Sequence, residues 1–330
     1  MRAAVITRSG GPDVLELLDV PRPLPREGEL LVRVHATALN RADIMQRQGR
    51  YPAPPGAPSH IPGLEIAGEV VELGAGVGTW RVGDRVFGIV GGGGNAEFVV
   101  SPEHQLARVP ARLSWEEAAA VPEAFITAHD ALVSLAHVRT GERVLVHAVG
   151  SGVGLAAIQL VRAFGAIPFG TARTPEKIER ARTFGLEDGF VPAGDPQHIV
   201  EQVQRWTDGK GVDVVLDLVG GPYLPASVEC AAQLGRIILI GLLAGRSATV
   251  NLGTVLSRRL MIRGTMLRSR PAREKAEATQ AFARDVLPLL EAGTVRAVIE
   301  RVFSLEQIRE AHELVESNET FGKVVLRVAP

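Results

Sequence analysis

Gly150, Ser151, Gly152, Val153 and Gly154 have the composition of a phosphate cradle. Glycines let the backbone come close to a pyrophosphate, and free N–H groups at the start of a following helix attract its negative charge. The flanks fit that use. Residues 144–146 are a short apolar run suited to a buried strand, and Ala156, Ala157, Leu160, Val161 and Phe164 recur at helical spacing up to Gly165. The glycines do not spell G-x-G-x-x-G, because Leu155 falls at the last position. Read as A-x-x-G-x-x-G, the frame is Ala148, Ser151 and Gly154, with serine in the middle slot. A tight strand-to-helix turn without a ligand would carry the same glycines.

A second group of residues bears on the ligand. NAD-binding units place an Asp or Glu about 20 residues past the glycines, at the end of the next strand, to take ribose hydroxyls. Here that tip holds Arg173 and Lys177, flanked by Thr171 and Thr174. A guanidinium fork and an ammonium suit a dianionic 2′-phosphate, so the expected cofactor is NADPH. Glu176 weakens the local positive field.

The elements that would position these groups follow from pattern. Residues 3–7, 14–20, 30–38, 67–73, 85–90 and 96–100 have strand character, punctuated by Pro21, Pro23, Pro25 and glycine clusters at 74–78 and 91–94. A small β barrel or sandwich is predicted up to about residue 120. Ser114 and Glu117 form a capping box for a helix that stops at Pro122, and 125–136 is a second helical stretch. From residue 143 strands and helices alternate, with strands at 167–171, 189–191, 212–219 and 236–240 and helices at 175–184, 196–207 and 223–232. That order predicts a parallel sheet with helices on both faces, whose ligands sit beyond the carboxyl ends of the strands. Beyond residue 264 the pattern predicts a helix over 274–290 interrupted near Pro288, a helix over 305–317, and a strand at 323–328 that rejoins the first region.

Bulk properties narrow the function classes. A chain of 330 residues suits two domains, and a net charge of −1 points to neither nucleic acid nor membrane surface. Cys230 is the one cysteine, so no intrachain disulfide or cysteine-based zinc site can form. The opening residues are too soon interrupted for a signal peptide, and no apolar run can cross a bilayer, so a cytoplasmic protein is expected.

Further strings carry a resemblance. Ala38, Leu39, Asn40, Arg41, Ala42 and Asp43 lead to Met45, Gln46, Arg47, Gly49 and Tyr51; then come Pro62, Gly63, Glu65 and Gly68, Gly83 and Asp84, and Gly93, Gly94, Ala96 and Glu97. Together they resemble the medium-chain dehydrogenase/reductase superfamily, and within it the zinc-free quinone oxidoreductases, most closely the stress-inducible NADPH:quinone branch. The likeness runs from the first strand to Gly322 and Lys323. It implies an α/β chain: a GroES-like β-rich catalytic domain from residues 1–122 and 265–330, and an inserted Rossmann domain, a doubly wound parallel sheet, at 123–264. It also implies a homodimer. Zinc-dependent members have a histidine where Leu64 stands and a cysteine near residues 38–40, which have none. A catalytic zinc needs about three protein ligands; His35, His60, His104 and His129 fall in no ligand pattern, so no metal is expected.

By the same resemblance, hydride passes from NADPH to a quinone or activated enone. Asn40 would sit near the nicotinamide, Tyr51 near the substrate as a phenol donor to the developing oxyanion, and Asp43 would fix the local loop. Some relatives carry a second tyrosine where this chain has Met45. Thr127, Gly150, Ser151, Gly152 and Val153 would line the pyrophosphate and ribose, with Arg173 and Lys177 on the 2′-phosphate. Val219, Gly220, Gly241, Leu242, Leu243 and Leu267 would pass beneath the dinucleotide, and Gly322 and Lys323 would close over it. Two other readings stay open. One is an enoyl-thioester or enone reductase with the same cofactor edge. The other is a cofactor-binding structural or RNA-binding protein, which a near-neutral chain without a basic, aromatic-rich patch favours little.

Overall fold

The computed structural model describes residues 1–192 and 194–328; residues 329–330, the end of the expected catalytic domain, lie outside the described residues. The chain forms two compact units, one of Met1–Ile126 with Leu267–Pro330, the other of Thr127–Met266. Both crossings fall a few residues after the expected boundaries at 122 and 264.

The first unit is built on one long strand, Glu29–Leu39. Its alternating apolar residues Leu30, Val32 and Val34 belong to a core with Ile66, Val70, Val86, Leu106, Val324 and Leu326. Along the sheet the order is Ile299–Ser304, Lys323–Arg327, Glu29–Leu39, Glu65–Leu73, Arg85–Ile89, Leu106–Arg108, and Phe98–Pro102 also pairs with the central strand. The Lys323–Arg327 strand therefore does return to the N-terminal region, antiparallel, with Val324 opposite Leu39. Arg2–Ile6 and Leu15–Asp19 make a separate antiparallel pair.

The expected break near Pro288 is not found: the helix runs unbroken over Ala272–Ala292. Proline removes one N–H and crowds the preceding turn, but here the residue lies near the helix end and the buried face of Ala278, Thr279, Phe282, Val286 and Leu290 carries the helix through. A short helix at Arg41–Arg47, which the pattern does not announce, follows the central strand directly.

In the second unit six parallel strands run in the order Asp188–Phe190, Ile167–Thr171, Arg143–Val146, Val212–Asp217, Ala231–Leu239, Met261–Gly264. In chain order this is 3-2-1-4-5-6, the dinucleotide-binding arrangement, and the progression of strand order, not strand direction, switches between the first and fourth strands. Val144, Leu145 and Val146 are wholly buried, as a strand covered on both faces requires. The stretch expected as one helix from 125 to 136 is an α-helix, Pro122–His129, continued as a π-helix over Asp130–Leu135.

Candidate active site

Three strand ends of the first unit's sheet bring a charged cluster together. Asn40 follows the last residue of the central strand; Glu65 and Lys323 each begin an antiparallel neighbour, one on either side. The Lys323 ammonium lies 2.7 Å from Glu65 Oε1, and donates to Asn40 Oδ1 at 2.6 Å and the Leu39 carbonyl at 3.0 Å. Its three donors are thereby engaged. Glu65 Oε1 also accepts from Asn40 Nδ2 at 2.9 Å, and Oε2 from the Glu123 backbone N–H at 2.7 Å. Glu65 has no exposure and Lys323 has 5%.

Asp43 is the third residue of the Arg41–Arg47 helix. One of its oxygens accepts from the Asn40 N–H at 2.8 Å, the other from the Gly63 N–H at 2.9 Å. Gly63 adopts φ 103°, and a Cβ there would lie 2.3 Å from the Asn95 nitrogen, so only glycine serves. Complete burial pushes the Asp43 carboxyl up to about 6, against the pull of its two N–H donors. Glu123, in the first turn of its helix, is pushed up to about 8, first by burial and then by the Glu65 charge.

Tyr51 is half-buried, with the Arg268 guanidinium 5.1 Å from its ring centroid. Burial raises the phenol's pKa, which keeps it a hydrogen-bond donor, and its hydroxyl has no hydrogen-bond partner among the described residues. Arg268 is itself buried, at 4% exposure, donating to the Gly91 carbonyl and to Gln46 Oε1. Leu267 is also in this unit and lines a small cavity with Ile89, Gln105, Ile126, Lys275 and Thr279. Gly322 takes φ 99°, with the Val298 carbonyl 2.3 Å from where a Cβ would stand; backbone packing alone accounts for that glycine.

In the second unit the glycine turn joins the Arg143–Val146 strand to the Gly152–Ala163 helix. Ser151 caps the helix, its hydroxyl accepting from the Gly154 N–H at 3.0 Å. A Cβ on Gly154 would lie 2.4 Å from the Ala148 carbonyl and 2.8 Å from Val149 Cα, so this glycine provides the close helix–strand approach of a dinucleotide turn. Gly150 is buried; Ser151, Gly152 and Val153 are partly open, and Thr127 is 8% exposed in the Pro122–His129 helix.

Arg173, two residues past the Ile167–Thr171 strand, is exposed, and its guanidinium has no hydrogen-bond or ion-pair partner among the described residues. Lys177 is half-buried in the Pro175–Arg182 helix, which Thr174 caps. The Val219 and Gly220 N–H groups both donate to Asp217 Oδ1 at 2.8 Å, which shapes the loop after the Val212–Asp217 strand. Leu242 and Leu243 are 51% exposed, and Gly241 packs against the Leu218 carbonyl. A turn cleared of side chains, a capped 12-residue helix and an unpaired cation at the second strand's tip are a donor set that fits a phosphorylated dinucleotide.

Several groups here escape sequence reasoning: Glu123, Arg268, Gln46, Asp217 and His147. The last pins three elements together. Ser227 Oγ donates to the Tyr223 carbonyl at 2.9 Å, so His147 Nε2 must donate to Ser227 Oγ at 3.0 Å. Nδ1 must then accept from Thr171 Oγ1 at 3.0 Å. Burial lowers the pKa of this imidazole and keeps it neutral. Among the described residues no group of three or more His, Cys, Asp or Glu stands together to hold a metal ion, and no helix is long and apolar enough to cross a membrane.

Comparison with known proteins agrees with this architecture. The alcohol dehydrogenase GroES-like domain family matches residues 26–111 and the zinc-binding dehydrogenase family residues 152–284. A quinone oxidoreductase of Pseudomonas aeruginosa is 36% identical over 96% of this chain and 96% of its own length. One from Lama guanicoe is 33% identical over 99% and 97%. The solved structure of a mycobacterial protein complexed with NADPH superimposes with a TM-score of 0.87 at 29% identity, covering 99% of this chain and 100% of that one. The first unit is thus the GroES-like part and the second the Rossmann-like part of an oxidoreductase, and the chain belongs to the quinone oxidoreductase family of the medium-chain dehydrogenase/reductase superfamily.

Proposed function

We propose that the protein is an NADPH-dependent, zinc-independent quinone oxidoreductase, acting on quinones or related enones. The observation that carries the cofactor choice is Arg173, an exposed and unpaired guanidinium where an NAD-specific chain would carry an acid. When bound, the dihydronicotinamide supplies the hydride. The chain's own residues do the rest. The glycine turn and the capped helix start receive the pyrophosphate; Arg173, with Lys177 in the next helix, receives the 2′-phosphate. Asn40, fixed between Glu65 and Lys323, keeps one orientation, and Asp43 holds the turn beneath it. The Tyr51 hydroxyl donates to the oxygen on which negative charge develops. Gly150, Gly152, Val153, Thr127, Gly241, Leu242 and Leu243 line the dinucleotide without charge, and Gly322 contributes backbone only. Lys323 acts through Asn40, because its ammonium donors are already taken.

The same reading includes a homodimer. Among the described residues the Met261–Gly264 strand is the last of its sheet, paired on one side only, and Ile262, Leu252, Leu256 and Met266 around it are 37–77% exposed. An apolar open edge is a template for a second copy.

The test is NADPH and NADH oxidation with a benzoquinone, an ortho-quinone, an enone and an enoyl thioester, chelator present. Arg173→Ala should raise KM for NADPH about tenfold, the loss of a charge-assisted pair, and leave NADH nearly unchanged. Equal losses for both cofactors would sink the 2′-phosphate assignment. Turnover of the thioester but no quinone would move the protein to the enoyl reductases. Binding of NADPH without turnover of any acceptor would leave a binding protein.

A further inference from the structure

Resting on the reading of Tyr51 as donor to the acceptor's oxygen, we propose that Arg268 is its positioning residue: it braces the loop that carries Tyr51 and sets a fixed positive charge against the phenol ring. The loop over residues 51–59 has little of its own to hold it. Pro52, Pro54, Pro55 and Pro58 have no N–H to donate. Among the described residues its one internal backbone hydrogen bond runs from the Ala57 N–H to the Pro54 carbonyl, at 3.1 Å. Side chains do the holding, and all of them belong to the first unit. Arg268 Nη2 donates to Gln46 Oε1 at 2.5 Å, and Gln46 Nε2 donates to the Ser59 carbonyl at 2.9 Å, which fixes the far end of the loop. Arg268 Nε donates to the Gly91 carbonyl at 3.0 Å. A Cβ on Gly91 would lie 3.0 Å from Ala57 Cβ and 3.4 Å from Pro54 Cγ, so this glycine segment packs on the middle of the loop. At the near end the guanidinium carbon lies 5.1 Å from the Tyr51 ring centroid. One side chain thus reaches Tyr51 directly, Ser59 through Gln46, and the segment between them through Gly91.

Bracing alone does not require a cation. Arg268 is 4% exposed, has no ion pair among the described residues, and leaves Nη1 without a hydrogen-bond partner. A buried charge in that state is costly, and the Tyr51 ring is the group within cation–π range that offsets part of the cost. The charge also works against the effect of burial on the phenol. As negative charge grows on an oxygen bonded to the phenol, the guanidinium is already in place and need not reorganise. Arg268 acts through Tyr51 rather than on the acceptor.

The decisive test is a double-mutant cycle on quinone turnover. Tyr51→Phe and Arg268→Met should each lower kcat, by about tenfold to a hundredfold, with the KM for NADPH little changed. The double variant should be no slower than the slower single one; losses that multiply would overturn the proposal, since Arg268 would then act apart from Tyr51. Arg268→Lys keeps the charge without the planar fork and should recover part of the turnover, and a Lys variant as slow as the Met variant would reduce Arg268 to a brace. A readout without cofactor is the ionisation of the phenol itself. The chain has two tyrosines, so fluorine NMR of a Tyr223→Phe protein grown on fluorotyrosine reports Tyr51 alone. Arg268→Met should move that titration up by about one pH unit, and Arg268→Lys should move it less. An unmoved titration in the folded Met variant would overturn the proposal. Arg268→Gln, neutral but still able to donate to one of the two oxygens, takes its place if the Met variant does not fold. A Tyr51→Phe protein that turns over like wild type would instead remove the donor reading beneath, an outcome told apart by that single variant.

Discussion

Lys323 and Glu65 show what the first unit tolerates to hold one amide in place. Taking an ion out of water costs several kcal/mol even after relaxation. The cost is offset here by a 2.7 Å ion pair and by hydrogen bonds to Leu39, Asn40 and the Glu123 N–H. Removing one partner should therefore cost more than the pair is worth. Lys323→Met is expected to destabilise by about 3–5 kcal/mol, because Glu65 is left charged and buried. Adding Glu65→Leu should recover most of that loss, as denaturant unfolding of both variants would show; a single variant as stable as wild type would mean that the pair is not ionised. Sequence reading reaches Lys323, Asn40 and Asp43 as site residues but not the reason. The two charges are separated by most of the chain, and only the placement of their strands on either side of Glu29–Leu39 brings their side chains together. Glu123 is less legible still, because a lone glutamate after a proline looks like an ordinary helix start, and its raised pKa comes first from burial and then from the Glu65 charge on another element.

Among the elements, the glycine turn is the most exacting. Gly154→Ala would put a Cβ 2.4 Å from a backbone carbonyl that cannot rotate away. The helix must shift, at about 1–3 kcal/mol for overpacking, and calorimetry should show weaker NADPH binding alongside a lower Tm. Unchanged binding with lowered Tm would separate packing from cofactor recognition. This strand, turn and helix are legible because all their signals are local: an apolar run, glycines, a serine cap and helical spacing. The same holds for the Ile167–Thr171 strand and the capping box at Ser114. Met261–Gly264 and Ile299–Ser304 are not announced, since short edge strands with exposed residues lack an apolar alternation. The continuous helix through Pro288 shows the reverse, a local breaking signal overridden by a long buried face.

At the scale of the whole molecule, the open edge of the six-stranded sheet sets the expected assembly. A paired change, Ile262→Lys with Leu256→Lys, should halve the mass seen by light scattering and leave the fold intact by circular dichroism. A wild type that scatters as a monomer at micromolar concentration would sink the dimer. Connectivity has a consequence of another kind. The first unit is discontinuous, with the whole second unit lying between its two segments in the chain. Lys323 stands 283 residues after the Asn40 it holds. On the ribosome, Glu65 and its strand emerge long before their counter-ion exists, whereas every strand of the second unit is complete by Gly264. Domains fold as units during synthesis, so the nucleotide-binding sheet can close first, while the earlier-made segment waits, its acidic cluster still hydrated, for translation to deliver the lysine.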